Sequence, residues 1–359
     1  MRTVRGDDPP AADDAAWEAL PKRERHRARR TRAAPQRARA DAAGADEMQR
    51  AALPPALDDG LVVATSRGPC TVELDDGRLI AAVLPKALAR DDRSAVAVGD
   101  RVQLARRAHG ELVVREVLPR VSQLARPDPF DPRRRRVLAA NLERAVAVAS
   151  WRRPPLATGL LDRLLVALAS GGVEAAIAVN KLDLAARGSA FEAELEALRP
   201  YRELGVPVFP CSATTGEGLA PLRAWIGGRL VAFVGHSGAG KSSLINALEP
   251  LVVAAVGEVA RGAGRGRHTT TQPQIHRLAD GTRIVDTPGV REFGLWQMSA
   301  RELAAYFPEF EVHAARCRFN DCSHAHEPRC EVRAAAERGA ISPARFATYL
   351  RILASLDPA

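Results

Sequence analysis

Gly235-His236-Ser237-Gly238-Ala239-Gly240-Lys241-Ser242 has the residue types and spacing of a phosphate-binding loop at every fixed position. Its glycines let backbone N–H groups turn toward phosphate oxygens. The helical stretch from Ser243 to Leu248 adds the positive end of its dipole. Lys241 is placed to hold the β- and γ-phosphates, and Ser242 to ligate Mg²⁺. His236 occupies a position the pattern leaves variable and lines the loop without an assigned role.

A phosphate loop alone does not choose a base. Asn180-Lys181-Leu182-Asp183 does, because a carboxylate at Asp183 accepts from both N1–H and the exocyclic amine of guanine. Adenine offers neither donor, and a carboxylate left buried and unpaired rejects it. Ser212-Ala213 further along matches the loop that offers a backbone N–H to the guanine oxygen, and the turn-rich Thr214-Thr215-Gly216-Glu217-Gly218 follows it. Asp286-Thr287-Pro288-Gly289 supplies Asp286 to hold Mg²⁺ through water and the Gly289 N–H to sense the γ-phosphate. Gly266-Arg267-His268-Thr269-Thr270-Thr271 brings hydroxyls, and Thr269 or Thr270 is expected to complete the magnesium shell. In Ras-like enzymes a Gln after the last glycine of the Asp-x-x-Gly motif orients the attacking water. Val290 stands there and cannot hydrogen-bond, so His268 becomes the candidate for that catalytic role.

A second chemical cluster, Cys317-x4-Cys322-x-His324-x5-Cys330, offers three thiolates and an imidazole. Four such ligands close a tetrahedral structural zinc site with no open position. His326 competes with His324 for the fourth place, and Cys70 and Cys211 are expected to be packing residues.

These side chains need a scaffold. Apolar strands at Ala145–Ala149, Ala175–Val179, Val206–Phe209, Leu230–Val234 and Ile284–Val285 alternate with helical stretches, which predicts a mostly parallel α/β sheet. A further strand, Ile275–Leu278, turns through Asp280-Gly281. The base-reading motifs precede the phosphate loop, and both switch motifs follow it. All of them are expected on loops at one edge of such a sheet, so a circularly permuted chain can build the same site. Ahead of this domain, short β-type runs from about Leu61 to Ser122, with a hairpin turn at Asp75-Asp76-Gly77, predict a small barrel, with an OB-fold as the expected version. Arg126 to Arg136 reads as a Pro- and Arg-rich connector, and the chain after Ser299 as helical and polar. The expected division is thus a tail over 1–57, a barrel over 58–124, the permuted domain over 125–298 and a zinc-binding segment over 299–359.

The formal net charge of +9 and pI near 9.9 point to a polyanionic partner, nucleic acid first. Between Lys22 and Arg39 nine basic residues face a lone acid, Glu24, as in an unfolded tail. No apolar run is long enough to span a membrane and no apolar leader is present, which predicts a cytoplasmic protein.

The permuted order, the run Gly264-Arg265-Gly266-Arg267-His268-Thr269-Thr270-Thr271, the run Asp286-Thr287-Pro288-Gly289-Val290-Arg291-Glu292-Phe293 and the Cys-rich tail resemble the RsgA/YjeQ family of bacterial small-ribosomal-subunit biogenesis GTPases. The resemblance spans roughly residues 58–355 and leaves the first 50 unassigned. It implies GTP hydrolysis to GDP on the 30S subunit and its 16S rRNA, by a monomer with one structural Zn²⁺ and with Mg²⁺ accompanying GTP. It also implies that His268 is catalytic and that His324, rather than His326, completes the zinc shell.

Overall fold

The computed structural model of the chain describes residues 56–66, 69–85, 96–107, 109–127, 135–185, 188–248, 274–286, 295 and 298–356. All lie in the unit Pro55–Ala359. His268, Thr269, Thr270, Gly289 and nearly all of the N-terminal tail lie outside the described residues.

Five strands come first: β1 (Ala56–Thr65), β2 (Cys70–Leu74), β3 (Leu79–Ala82), β4 (Arg101–Arg106) and β5 (Leu112–Val117). β1 therefore begins inside the segment assigned to the tail. β1 pairs with β2 and β4, β2 with β3, and β4 with β5, all antiparallel. Val83, just beyond β3, bridges Val113 of β5 in parallel. Alternate residues point inward, and Val62, Val72, Ala82, Val102, Leu104 and Val114 form their own core. Cys70 packs with them as expected, and burial pushes its thiol up to about 11.

The stretch read as a connector is partly strand. β6 (Gln123–Pro127) and β7 (Arg135–Ala140) form an antiparallel two-stranded sheet with Arg126 opposite Arg136. The apolar residues that drive this pairing, Leu124 and Ala139, flank the Arg/Pro tract and are buried.

Next come β8 (Arg144–Ser150), α1 (Thr158–Ser170), β9 (Glu174–Asn180), α2 (Ser189–Glu196), α3 (Arg199–Glu203), β10 (Val208–Pro210), α4 (Leu219–Ile226), β11 (Leu230–Gly235), α5 (Lys241–Leu248), β12 (Gln274–Arg277) and β13 (Arg283–Asp286). Their order across the sheet is β10-β9-β8-β11-β13-β12, parallel except for β12. β8, β9 and β11 are nearly continuous apolar runs because helices cover both faces. Successive residues serve opposite layers. Ala145, Ala147, Ile177, Val179, Ala232 and Val234 pack on Leu161, Leu164 and Leu168 of α1. Val146, Val148, Ala178, Val231 and Phe233 pack on Leu222 and Ile226 of α4 and on Leu244 and Leu248 of α5. The sheet continues into the five N-terminal strands at the register Ala64↔Gln274, between β1 and β12.

The C-terminal segment holds α6 (Ala300–Ala305), α7 (Glu311–Ala314), α8 (Glu331–Glu337) and α9 (Pro343–Ala354). Ser299 and Glu302 form a reciprocal capping box that starts α6. Phe307, Phe310 and Tyr349 meet with ring centroids 5.0–5.2 Å apart and form the centre of a separate core. This segment is anchored on α1 by charge as well as by packing. Arg345 of α9 donates to Asp162 Oδ1 of α1 at 2.7 Å and to both carboxylate oxygens of Glu309. Side-chain exposures of 8% for Arg345, 1% for Asp162 and 16% for Glu309 leave the acids little water to fall back on. Burial holds the Asp162 carboxyl above its ordinary value and Arg345 opposes that shift.

Arg345→Met should therefore lower stability by about 3–5 kcal/mol, since it strands two acids rather than removing a pair. Without the guanidinium, the folded-state pKa of Asp162 rises further above its unfolded value. Stability is then kept in acid and lost as pH rises through that folded value, so the deficit should grow from acid to neutral pH. Denaturant titrations at two pH values would check this. A pH-independent deficit, or none, would show that Asp162 does not depend on Arg345.

Candidate functional site

Four loops leave the C-terminal ends of parallel strands, and the strand registers bring those ends level: Ser150 faces Asn180 across β8 and β9, and Val148 faces Gly235 across β8 and β11. Asn180 ends β9, Cys211-Ser212-Ala213 follows β10, the phosphate loop follows β11 and Asp286 ends β13.

Asn180 ties three of these together. It is 2% exposed. Its Nδ2 donates to Ala239 O at 3.0 Å and Gly240 O at 3.4 Å, while its Oδ1 accepts the Ala213 N–H at 3.0 Å. The sequence assigned this loop a backbone N–H for a guanine oxygen; the Ala213 N–H is the one donated to Asn180. Lys181, in a left-handed conformation with φ 64°, donates from Nζ to Gly238 O at 2.7 Å and to Arg153 O. Asp183 is exposed, and its Oδ1 accepts from Ser212 Oγ at 2.5 Å. Ser212 is fully buried, and its hydroxyl in turn accepts the N–H groups of Thr214 and Thr215 at 3.2 Å each. The carboxylate of Asp183 is thus aimed by a hydroxyl that the loop itself orients.

The phosphate loop needs glycine where the neighbours come closest. Gly240 has φ +91°, and a Cβ there would lie 2.3 Å from Asn180 Nδ2. At Gly235 a Cβ would meet Val148 O at 2.2 Å. Ala239 is buried, while His236, Ser237 and Gly238 are exposed. Lys241 Nζ donates to Gly235 O at 2.8 Å and to His236 O at 3.0 Å, so the ammonium is held over the loop. Nδ1 of His236 lies 2.6 Å from Ser237 O. Ser242 and Ser243 are exposed in the first turn of α5, where its unpaired N–H groups gather. Sequence reasoning missed Trp151, whose backbone N–H donates to Asn180 O at 3.0 Å and whose ring is wholly buried. A Trp after an apolar strand gives no local signal of what lies across the sheet.

Cys317, Cys322, His324 and Cys330 converge with all ligand atoms within 4.8 Å of one another. Cys317 Sγ and Cys330 Sγ are 4.0 Å apart, and each lies 3.6 or 3.5 Å from His324 Nδ1. Metal–sulfur bonds near 2.3 Å in a tetrahedron place ligands about 3.5–3.8 Å apart, so the donor set fits one ion. His324 reaches the cluster through a left-handed backbone, φ 61°, between the Ser323 carbonyl, held by Tyr349 Oη at 2.6 Å, and the chain beyond. His326 is not among the clustered donors. Burial lowers the pKa of His324 and so favours the neutral ring that ligates; burial and the neighbouring cysteines push the Cys322 thiol up to about 12. Cys211 stays outside the cluster, buried against β8 and β9, and burial alone pushes its thiol up to about 12.

Asn180→Ala should cost roughly 1–3 kcal/mol, the scale of stranding a buried donor, and loosen three loops together. Urea denaturation with a parallel nucleotide titration would show both losses; an unchanged midpoint would mean that the loops are held by other contacts.

The RsgA GTPase family model matches residues 117–296. The chain is 37% identical over 306 residues to the small ribosomal subunit biogenesis GTPase RsgA of Actinobacillus succinogenes, covering 84% of this chain and 85% of that protein. It is likewise 37% identical over 306 residues to the Histophilus somni protein of the same name, with the same shares covered. The crystal structure of YjeQ from Thermotoga maritima superimposes with a TM-score of 0.66 at 29% identity, covering 83% of this chain and 98% of that one. YloQ, described as a circularly permuted GTPase, superimposes with a TM-score of 0.64 at 24% identity over 84% of this chain and 96% of that one, and so shares the fold. With its permuted order of site loops and this extent of likeness, the chain belongs to the RsgA GTPase family.

Proposed function

We propose that the chain hydrolyses GTP to GDP and phosphate while bound to the small ribosomal subunit, late in its maturation. The observation that carries the reading is the convergence of Asn180, Lys181, Asp183, Ser212 and Ala213 on the phosphate loop at one sheet edge. In this reading Asp183 reads the guanine, Gly235 to Ser243 hold the phosphates and Gly289 senses the γ-phosphate. Ser242, Asp286 and Thr269 or Thr270 are the residues for Mg²⁺. When bound, that ion neutralises charge on the β- and γ-phosphates. His268 orients the attacking water in place of the glutamine that Val290 replaces.

The partner is 16S rRNA within the 30S subunit. The net charge of +9 supports this, as does the resemblance of the five-strand pairing to an OB-type barrel, a fold used for nucleic acids. The domain division is the one given above, except that the barrel begins at Ala56 and takes in two residues of the expected tail. The Cys317, Cys322, His324 and Cys330 cluster takes one structural Zn²⁺ that holds the C-terminal segment. The protein acts as a cytoplasmic monomer; among the described residues no helix is long and apolar enough to cross a membrane.

Val290 also favours a second reading, a GTP-gated RNA-binding module with negligible turnover of its own. Steady-state turnover of GTP and ATP, with and without purified small subunits, separates the two. GTP should be preferred and subunits should stimulate its hydrolysis. His268→Ala should lose on the order of 10²-fold of the stimulated rate, the scale of one positioned polar group. Turnover that stays negligible with subunits present would leave the binding module.

Metal analysis should return about one zinc per chain. Chelation should lower the melting temperature of the C-terminal segment, because ligation is coupled to folding there. A metal-free protein with an unchanged melting profile would remove the zinc site.

A further inference from the structure

β12 and β13 form a hairpin whose far end places Arg277 directly opposite Arg283. Two like charges facing each other across antiparallel strands repel. The pair is tolerated because Glu73, on β2 of the barrel, stands between them. Its Oε1 accepts from Arg277 Nη1 at 3.1 Å, and its Oε2 lies 3.4 Å from Arg283 Nε. Glu73 has a side-chain exposure of 10%, against 59% for Arg277 and 35% for Arg283. Arg277 can turn to water, whereas the carboxylate depends on its arginines and Arg283 Nε is buried beside it.

At its near end the same hairpin pairs Gln274 with Asp286, and Gln274 is also the residue that pairs with Ala64 of β1. The barrel therefore grips β12 at both ends, by a backbone pair at Gln274 and by an ion pair at Arg277. β13 lies directly against β12 and ends at Asp286. Its turn is fixed separately to the permuted domain, by Thr282 Oγ1 accepting the Gly228 N–H at 2.9 Å. A barrel that shifts must draw this hairpin along its own length or break the Glu73 contacts.

We propose that Glu73 is a positioning residue for hydrolysis: its two arginine contacts lock the β12–β13 hairpin to the barrel, so that RNA held by the barrel sets where β13 presents Asp286. This rests on the reading that the chain is a subunit-stimulated GTPase. Glu73 lies on β2, outside the loops that this reading assigns to the nucleotide. It acts through the strand that carries Asp286, so its loss should change the response to the subunit rather than the basal rate.

The test uses the full chain as Glu73→Gln and as Glu73→Gln with Arg277→Gln. Melting temperature and GTP turnover are measured for each, with and without purified small subunits. Glu73→Gln should melt lower than wild type because the arginines now face each other unscreened. Adding Arg277→Gln should restore the melting temperature by removing one of the two charges. Both variants should keep basal turnover near wild type and lose about tenfold of the stimulation, within the ordinary range of coupling between sites. Restored stability with lost stimulation separates positioning from simple unfolding. Full stimulation in the stable double variant would overturn the proposal while leaving the subunit-stimulated GTPase in place. A wild-type protein that subunits do not stimulate would overturn that reading, and this inference with it.

Discussion

A carboxamide buried at 2% exposure costs free energy unless both of its ends are paired, and Asn180 pairs both with backbone of other loops. Its amine end holds the phosphate loop through Ala239 and Gly240, and its oxygen holds the Ser212-Ala213 loop. The requirement runs both ways. Gly240 must be glycine because Asn180 Nδ2 occupies the space a side chain would take. Lys181 repeats the pattern one residue on, bridging Gly238 and the turn after β8. The loops after β8, β9, β10 and β11 are therefore tied into one assembly by side chains of the chain itself.

That assembly depends on position in space and not on order in sequence. Each loop leaves the carboxyl end of a parallel strand, and hydrogen bonding between β8, β9 and β11 aligns those ends. Permuting the chain changes which loops are covalently continuous while leaving the site in place. Its effect is felt at the two flanks. The chain leaves the sheet through Asp286 toward the C-terminal segment. α9 then packs back on α1, where the Arg345 ion pairs join the ends of the domain.

The sequence was most legible where chemistry demands particular side chains at fixed offsets. The phosphate loop, Asn180 to Asp183 and the Cys/His cluster are of this kind, and the last is brought together as spaced. Apolar strands such as β8, β9 and β11 were also readable, because burial on both faces leaves uninterrupted Val, Ala and Ile. β6 and β7 were hidden because arginines and prolines between them masked the few apolar residues that pair. β5 was not singled out, its run Leu112–Val117 being broken by Arg115 and Glu116. The long-range ion pairs left no local trace at all: Arg345 meets Asp162 across 183 residues, and Arg277 meets Glu73 across 204. Such contacts exist only once the sheet and the helices have placed their backbones.

The order of strands across the sheet has a consequence for synthesis. Of the strands of the parallel sheet the ribosome delivers β8, β9 and β10 first, and these are already neighbours, so they can form a small parallel sheet with α1 and α4 while the phosphate loop is still untranslated. That sheet ends at β8, whose open backbone edge invites mispairing until β11 emerges to cover it. β12 and β13 then arrive as a hairpin and extend the sheet once more, with β13 innermost. The new outer edge at β12 is capped by β1, which was made long before. The nascent chain therefore passes through a stage with an unprotected central strand. β11 ends that stage for β8, and the pairing of β12 with β1 covers the edge that remains.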